Sequence, residues 1–450
     1  MPRELAQLPE RLRGIVGEAH VLQGEAAATF AVDGVRPSVV ARPGTQEEVG
    51  AVVAAAAQAG AAIAPWGSGA AMRLGSPPAR LDLVLSLQRL QRVVEFDAAN
   101  LVVTVEAGAR LGDLQALLAA QREFLPLDPA GTERRTVGGV LATNASGPSR
   151  LLYGTARDLV LGLRAVLASG ERIRCGGKVI KNVSGYDLNK LFIGSLGTLG
   201  ILTEATFKLL PAPAARATVL AVCPGLAQAE AAAARTLESF LLPESLDLLS
   251  PHALARLAGS VALAGAGGYG LAAGVAGSRE TVERQVRDLE RLFTEAGATR
   301  TGTARDAASG TVGAAVRDVL EDGGAGRDAV AVKLGVPIRR TCALVAAAEA
   351  LGSRHGWRTV ASAHAGSGIV RAVYAAAGAE AAQVRDGLEA LRAEAAAAGG
   401  SLVVEAAPPA IKSGLDVWGK PGDGLAVMHR LKAEFDPRGV LNPGRFVGGI

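Results

Sequence analysis

Aromatic side chains make up only 4% of this 450-residue chain, so its core is not built from rings. Much of the 49% apolar content is alanine, and closely packed helices are the expected filling. Cysteine is nearly missing: Cys175, Cys223 and Cys342 lie far apart. That spacing makes neither a disulfide framework nor a C-x-x-C cluster, and it disfavours an iron–sulfur centre within the chain. Three lone thiols fit a reducing compartment. No run of about 20 apolar residues occurs, so no direct membrane insertion is expected. The opening stretch MPRELAQLPERLRGIVGEAH scatters its charges and lacks the apolar segment of a secretory signal. There is no block of Lys and Arg, and the formal net charge is +4, which argues against a nucleic-acid partner. These absences leave a cytoplasmic protein of two or three domains, peripheral to a membrane only through partners.

Small-residue loops, by contrast, are plentiful. RPGTQEEVGAVVAAAAQAGAAIAPWGSG reads as a helix followed by a strand that runs into a glycine loop. Thr45 is placed to cap the helix, with Glu47 and Glu48 in its first turn. Strands are expected around 82–87, 92–96 and 101–106, then a helix from about Leu111. The alternation in LVVTVEAG is the period-two pattern of a half-buried strand. Pro211 and Pro213 mark a plausible boundary, after which strand-like and Ala-rich helical segments alternate to about residue 405. Four loops concentrate glycine: Gly67-Ser68-Gly69, Gly138-Gly139, Gly154, and the GGKVIKNVSGYDLNKLFIGSLGTLGI stretch with Gly194, Gly197 and Gly200. Asn144 and Asn182 stand beside two of them. Such loops turn consecutive N–H groups toward a ligand and bind phosphate oxygens. Neither a Walker-A pattern nor a clean G-x-G-x-x-G opening a helix is present. The expected ligand is therefore extended and phosphate-bearing, held by neither a P-loop nor a Rossmann unit.

Taken in order, RPGTQEEVGAVV, PWGSG, TVGGVLATNASG, YGTARDLVLGLRAVLASGE, GSLGTLGILTEATFKLLP and FDPRGVLNPGRF resemble the FAD-binding domain of the vanillyl-alcohol oxidase and p-cresol methylhydroxylase superfamily. The resemblance implies an α+β chain with a two-subdomain FAD-binding fold, an inserted α+β substrate-type domain and a C-terminal return to the flavin. The boundaries it suggests are a helical lead-in over 1–35, the FAD domain over 36–213, the inserted domain over 214–405 and the return segment over 406–450. It assigns the loop Pro65, Trp66, Gly67, Ser68 and Gly69 to the FAD pyrophosphate. It sets Gly138, Gly139, Ala142, Asn144 and Gly147 along the flavin and ribityl side. Gly154 and Asp158 would follow the cofactor, Gly200 and Ile201 would meet the adenine end, and Asn442 would return near the flavin ring. The PWGSGAAMRLG loop offers no His or Cys, which implies non-covalent FAD.

Within that superfamily, GGKVIKNVSGYDLNKLFIGS is similar to the D-lactate dehydrogenase and glycolate oxidase branch. Active members carry a His-x-Gly-Asp-Gly-Asn-x-His motif and a later Glu-His-Gly segment, whose side chains hold a divalent metal and supply a base. Here HAGSGIVR keeps His364 but has Ser367, Ile369 and Arg371 where Asp, Asn and the second His belong. GGSLVVEAAPPAIK keeps Glu405 but has Ala406 for the His. No metal is expected, and His364, Arg371 and Glu405 remain the catalytic candidates. This pattern resembles the FAD-binding subunits of bacterial glycolate oxidases. It implies an FAD-dependent subunit oxidising glycolate or D-lactate to the 2-oxo acid with an acceptor other than NAD. The implied partners are a metal-motif-bearing FAD paralogue and an iron–sulfur subunit. A self-sufficient 2-hydroxy-acid dehydrogenase and a structural subunit without turnover are the alternatives.

Overall fold

The computed structural model describes residues 3–178, 186–257, 267–321 and 326–450; Asn182 lies outside them. The chain begins with the helix Arg3–Val16, which buries Leu8 and Leu12 against the helix Gln46–Gln58. Strands β1 (Val21–Leu22), β2 (Val39–Ala41), β3 (Ile63–Trp66) and β4 (Leu83–Ser86) form a sheet in the order β1-β2-β4-β3. β2, β4 and β3 run parallel, whereas β1 joins antiparallel to β2. The lead-in over 1–35 holds the helix Arg3–Val16 and the short helix Glu25–Ala28, and two of its residues, Val21–Leu22, also hydrogen-bond as an edge strand. A two-residue strand is too short to show any alternation. Thr45 does cap Gln46–Gln58, its hydroxyl accepting the Glu48 N–H at 3.1 Å.

A second sheet contains β5 (Val93–Asp97) and β6 (Val102–Glu106), and, after β7 (Glu123–Phe124), β8 (Val160–Val166), β9 (Arg172–Gly176) and β10 (Ile201–Lys208). Its order is β5-β6-β10-β8-β9, antiparallel throughout. β11 (Leu210–Pro211) pairs with β7 just before the chain leaves this region. The apolar inward faces of β6, β8 and β10 pack on the helices Leu111–Ala120 and Val137–Thr143.

The third sheet comprises β12 (Ala215–Cys223), β13 (Ser245–Leu249), β14 (Tyr269–Gly277), β15 (Arg300–Arg305), β16 (Val330–Gly335), β17 (Arg358–His364), β18 (Ile369–Ala375) and β19 (Ser401–Ala406). Their order is β15-β12-β14-β13-β17-β18-β16-β19, again antiparallel. One face is apolar and carries the Ala-rich helices Leu226–Glu238, Thr341–His355 and Ala381–Ala397. Small side chains there let helix and sheet approach closely, as the composition suggested. The other face is covered in part by the helices Pro251–Arg256 and Asp306–Asp318, and its remaining polar part borders a cavity shared with the loops of the first two sheets.

After β19 the chain returns. Ile63 N–H donates to the Val440 carbonyl and Asn442 N–H to the Ile63 carbonyl, both at 2.7 Å, which adds Leu441 beside β3. Lys432 Nζ donates to the carbonyls of Thr198 and Leu441 at 2.8 Å each, and the Lys412 ammonium, fully buried, pairs with Asp33 at 2.8 Å. The C-terminal segment therefore fastens the first sheet to the loops around residues 72–76 and 198. Among the described residues no helix is long and apolar enough to cross a membrane.

Candidate functional site

A narrow cleft of about 90 Å³ opens where the first two sheets and the C-terminal segment meet. β3 ends at Trp66 and delivers the Gly67–Ala71 loop to its wall. The backbone N–H groups of Gly67, Ser68, Gly69, Ala70 and Ala71 have no hydrogen-bond acceptor among the described residues. Consecutive free N–H groups of this kind form an anion cradle. Opposite them, Asn442 donates from Nδ2 to the Leu196 carbonyl at 2.7 Å, while its buried Oδ1 lacks a partner. A buried amide oxygen left unpaired costs about 1–3 kcal/mol, so a ligand donor is chemically well matched to it. Arg445 closes the floor, with Nη2 donating to the Met72 carbonyl at 2.8 Å and also to that of Leu74. Burial lowers its guanidinium to about 10, and it stays cationic at neutral pH.

The glycines of this cleft serve packing as much as ligand access. A Cβ on Gly67 would sit 2.1 Å from Thr136 Oγ1, and one on Gly138 would lie 2.8 Å from Ala107 Cβ. The bare backbones let the Gly67 loop, the end of β6 and the helix Val137–Thr143 close into one continuous wall. Pro65, Trp66, Gly67, Ser68, Gly69, Gly138, Gly139, Ala142, Gly200, Ile201 and Asn442 all line the cleft. Four other expected cofactor residues do not. Asn144, left-handed at φ 47° where it ends its helix, faces the neighbouring cavity. Gly147 packs on the carbonyl of Asp128, which a Cβ would approach to 1.7 Å. Gly154 ends the short helix Arg150–Tyr153, and Asp158 accepts the N–H of Thr155 at 2.8 Å in a capping box. Thr136 and Arg445 line the cleft without having been singled out, although Arg445 stands in the NPGR segment that also holds Asn442.

Beyond Ala70, Ala71, Leu74, Arg135 and Thr143, which border both spaces, lies a cavity of about 520 Å³ beneath the polar part of the third sheet. Cross-strand register places its side chains. Asp247 on β13 is directly opposite His364 on β17, Ser362 is opposite Arg371 on β18, and Arg371 is opposite Lys333 on β16. Directly opposed residues share a face, as do residues two apart, so Asp247, His364, Arg371 and Lys333 form one polar row across four adjacent strands. Glu405 is the extra residue of a bulge in β19, where the register slips between Ala331 and Val332; such bulges re-aim side chains. His364 Nδ1 lies 2.6 Å from Asp247 Oδ1, His364 Nε2 lies 3.4 Å from Arg371 Nη1, and Arg371 Nε lies 3.5 Å from Glu405. The three catalytic candidates thus meet in one place, joined by Asp247 and Lys333, which had not been expected. Burial is the main cause that lowers the Lys333 ammonium; Glu405 opposes it, while Arg371 and Arg150 add to it. Among the described lining residues, five Arg and Lys side chains face three carboxylates. No group of three or more His, Cys, Asp or Glu there or elsewhere in the described residues is arranged to hold a metal ion.

A cleft walled by consecutive unpaired N–H groups, bordering a charged cavity under a separate sheet, is suited to a dinucleotide cofactor beside a small anionic substrate. The family described as FAD linked oxidases, C-terminal domain, matches residues 212–446, and the family described as FAD binding domain matches 37–176. The chain belongs to the FAD-linked oxidases, and it is an FAD-dependent oxidoreductase. It is 29% identical over 433 residues to glycolate oxidase subunit GlcD of Bacillus subtilis, covering 91% of this chain and 88% of that one. An FAD-linked oxidoreductase of Mycobacterium tuberculosis is 31% identical over 477 residues, covering 99% and 100%. In fold it is similar to p-cresol methylhydroxylase with substrate bound, with a TM-score of 0.79 at 18% identity over 99% of this chain and 97% of that one.

Proposed function

We propose that the chain oxidises a small 2-hydroxy acid, glycolate or D-lactate, to the 2-oxo acid and passes the electrons to an acceptor other than NAD, as a subunit of a glycolate oxidase-type assembly. The observation that carries this reading is that the cleft shares five lining residues with a cavity whose charge is predominantly positive. A small carboxylate is the ligand that such a lining attracts and orients. When bound, FAD supplies the two-electron acceptor. The Gly67–Ala71 N–H groups would hold its phosphates, and Asn442 and Arg445 would fix the opposite wall. Attachment is non-covalent, since no His, Cys or Tyr among the described residues lines the cleft.

The name of the Bacillus subtilis relative, a glycolate oxidase subunit, supports assembly with other chains. An iron–sulfur subunit suits the role of electron outlet, because the three cysteines of this chain are each buried in separate places and cannot ligate a cluster together. A metal-bearing FAD paralogue completes the proposed assembly. A second reading, in which this chain finishes the reductive half-reaction alone, is favoured by the row of charged side chains under the third sheet. The test is turnover with an artificial dye acceptor. Dye reduction with glycolate or D-lactate and none with NAD is expected. Failure of both acids, with FAD bound and the partner subunits added, overturns the proposal.

A further inference from the structure

We infer that Arg371 and Lys333 bind the substrate carboxylate and that His364, oriented by Asp247, takes the proton of the 2-hydroxyl, so that fixed organic cations rather than a metal ion supply positive charge to this site. The inference rests on the reading of the chain as a 2-hydroxy-acid oxidoreductase and assigns the parts of that site.

The hydrogen bonds around His364 define its tautomer. Asp247 can only accept, so the 2.6 Å contact places a proton on Nδ1. Arg371 can only donate, so Nε2 presents its lone pair toward Nη1 at 3.4 Å. An imidazole held this way is ready to accept a proton at Nε2. Its positioning carboxylate is nearly inaccessible, with 5% of the Asp247 side chain exposed, and the second oxygen, Oδ2, has no partner.

The cationic side of the row is under-used by the protein. Arg371 reaches His364 and Glu405 only at 3.4 and 3.5 Å, near the limit of a useful hydrogen bond. Lys333 makes no hydrogen bond or ion pair within contact distance among the described residues. Two cations facing each other on paired strands, half-buried and weakly satisfied, make a receptor for an anion. An Arg fork takes a carboxylate in a bidentate fashion. In a 2-hydroxy acid the hydroxyl is one carbon away from the carboxylate. Seating the carboxylate on Arg371 therefore brings the hydroxyl to the adjacent His364, and it draws the guanidinium away from Nε2.

A cation of higher charge has no comparable seat. His364 and Asp247 are two donors already bonded to each other, and Arg371 repels any metal that approaches them. The step balances without one. The O–H proton passes to His364 Nε2 and the remaining oxygen lone pair closes the C=O of the 2-oxo acid as the Cα–H electron pair departs; bound FAD would supply the two-electron acceptor for that hydride. Glu405, 3.5 Å from Arg371 Nε, offsets part of the positive charge of Arg371 and Lys333.

Oxalate, a two-carbon dicarboxylate with no hydrogen to transfer, is the probe. It is titrated into the FAD-loaded protein, with binding read from the perturbed flavin spectrum and checked by calorimetry. Arg371→Met and Lys333→Met are each expected to weaken oxalate binding, Arg371→Met by about 100-fold. His364→Gln is expected to change oxalate binding less than about threefold while slowing flavin reduction by glycolate at least about 100-fold. All variants are compared at matched FAD content and melting temperature, with Lys333→Arg as the charge-conserving control. Oxalate affinity unmoved in both methionine variants overturns the assignment, as does loss of binding after treatment with EDTA. If oxalate binding falls as expected but neither glycolate nor D-lactate reduces the wild-type flavin, the anion site stands and the substrate reading fails.

Discussion

His364 and Asp247 are separated by 117 residues in sequence, yet their side chains meet at 2.6 Å across directly paired positions of β17 and β13. The pairing decides which imidazole nitrogen carries the proton, and Asp247→Asn removes that constraint. Turnover is expected to fall at least about 100-fold with FAD content unchanged. Rapid-reaction kinetics on the FAD-loaded variant check it, and an unaltered reduction rate would remove Asp247 from the site.

Gly67 carries the closest approach in the cofactor wall, since a Cβ there would fall 2.1 Å from Thr136 Oγ1. Gly67→Val must push the loop off the helix Val137–Thr143 and disturb the row of free N–H groups. The purified variant is expected to hold much less FAD, measured as the ratio of flavin to protein absorbance. Gly422, where a Cβ meets nothing within 4 Å, is the control: Gly422→Ala should leave the ratio unchanged.

Lys412 is buried with Asp33, their side chains 0% and 3% exposed, and also donates to the carbonyls of Arg73 and Gly75. Removing one member of such a pair leaves the other charge uncompensated, at a cost of about 3–5 kcal/mol. Lys412→Met is expected to lower the denaturation midpoint accordingly. Because the pair anchors the chain just beyond the Gly67 loop, the apo-protein variant should also be cleaved faster by protease near residues 70–76. A variant as stable as the parent contradicts this anchoring role.

Burial raises the Asp128 carboxyl from its ordinary 3.8 to about 7; the N–H of Ser149 and the charge of Arg317 oppose the shift. The folded state thus binds a proton that the unfolded state releases at lower pH. This contribution to stability is fully present below about pH 4 and is lost as pH rises through about 7, a change on the order of 2–4 kcal/mol. Asp128→Asn can still accept the Ser149 N–H but does not titrate. The stability difference between wild type and Asp128→Asn should therefore shift against the wild type from pH 4 to pH 7 and level off above. A difference that is flat with pH would show that Asp128 is solvated.

Local signals carried much of the fold. The strand at Val102–Glu106, the Thr45 cap and the helix from Leu111 follow from alternation and capping chemistry, and the ordered glycine segments bring the superfamily with them. Most of the residues that line the cleft were legible for the same reason. Asp247 and Lys333 were not. Each interrupts an apolar strand, SLDLL and VAVKLG, and a lone charge in such a strand was the available hint. Its meaning came only from long-range register, which one sequence does not encode locally. Gly154 and Asp158, expected along the cofactor, form a helix end and its capping box.

The most direct test of the account is the anaerobic visible spectrum of the FAD-loaded chain alone, before and after addition of glycolate and of D-lactate. The account predicts that one of the two acids bleaches the flavin bands, that EDTA leaves the bleaching intact and that Arg371→Met suppresses it. Flavin that remains oxidised with both acids, in a chain that binds FAD, would contradict the claim that this chain's own side chains bind and deprotonate the substrate.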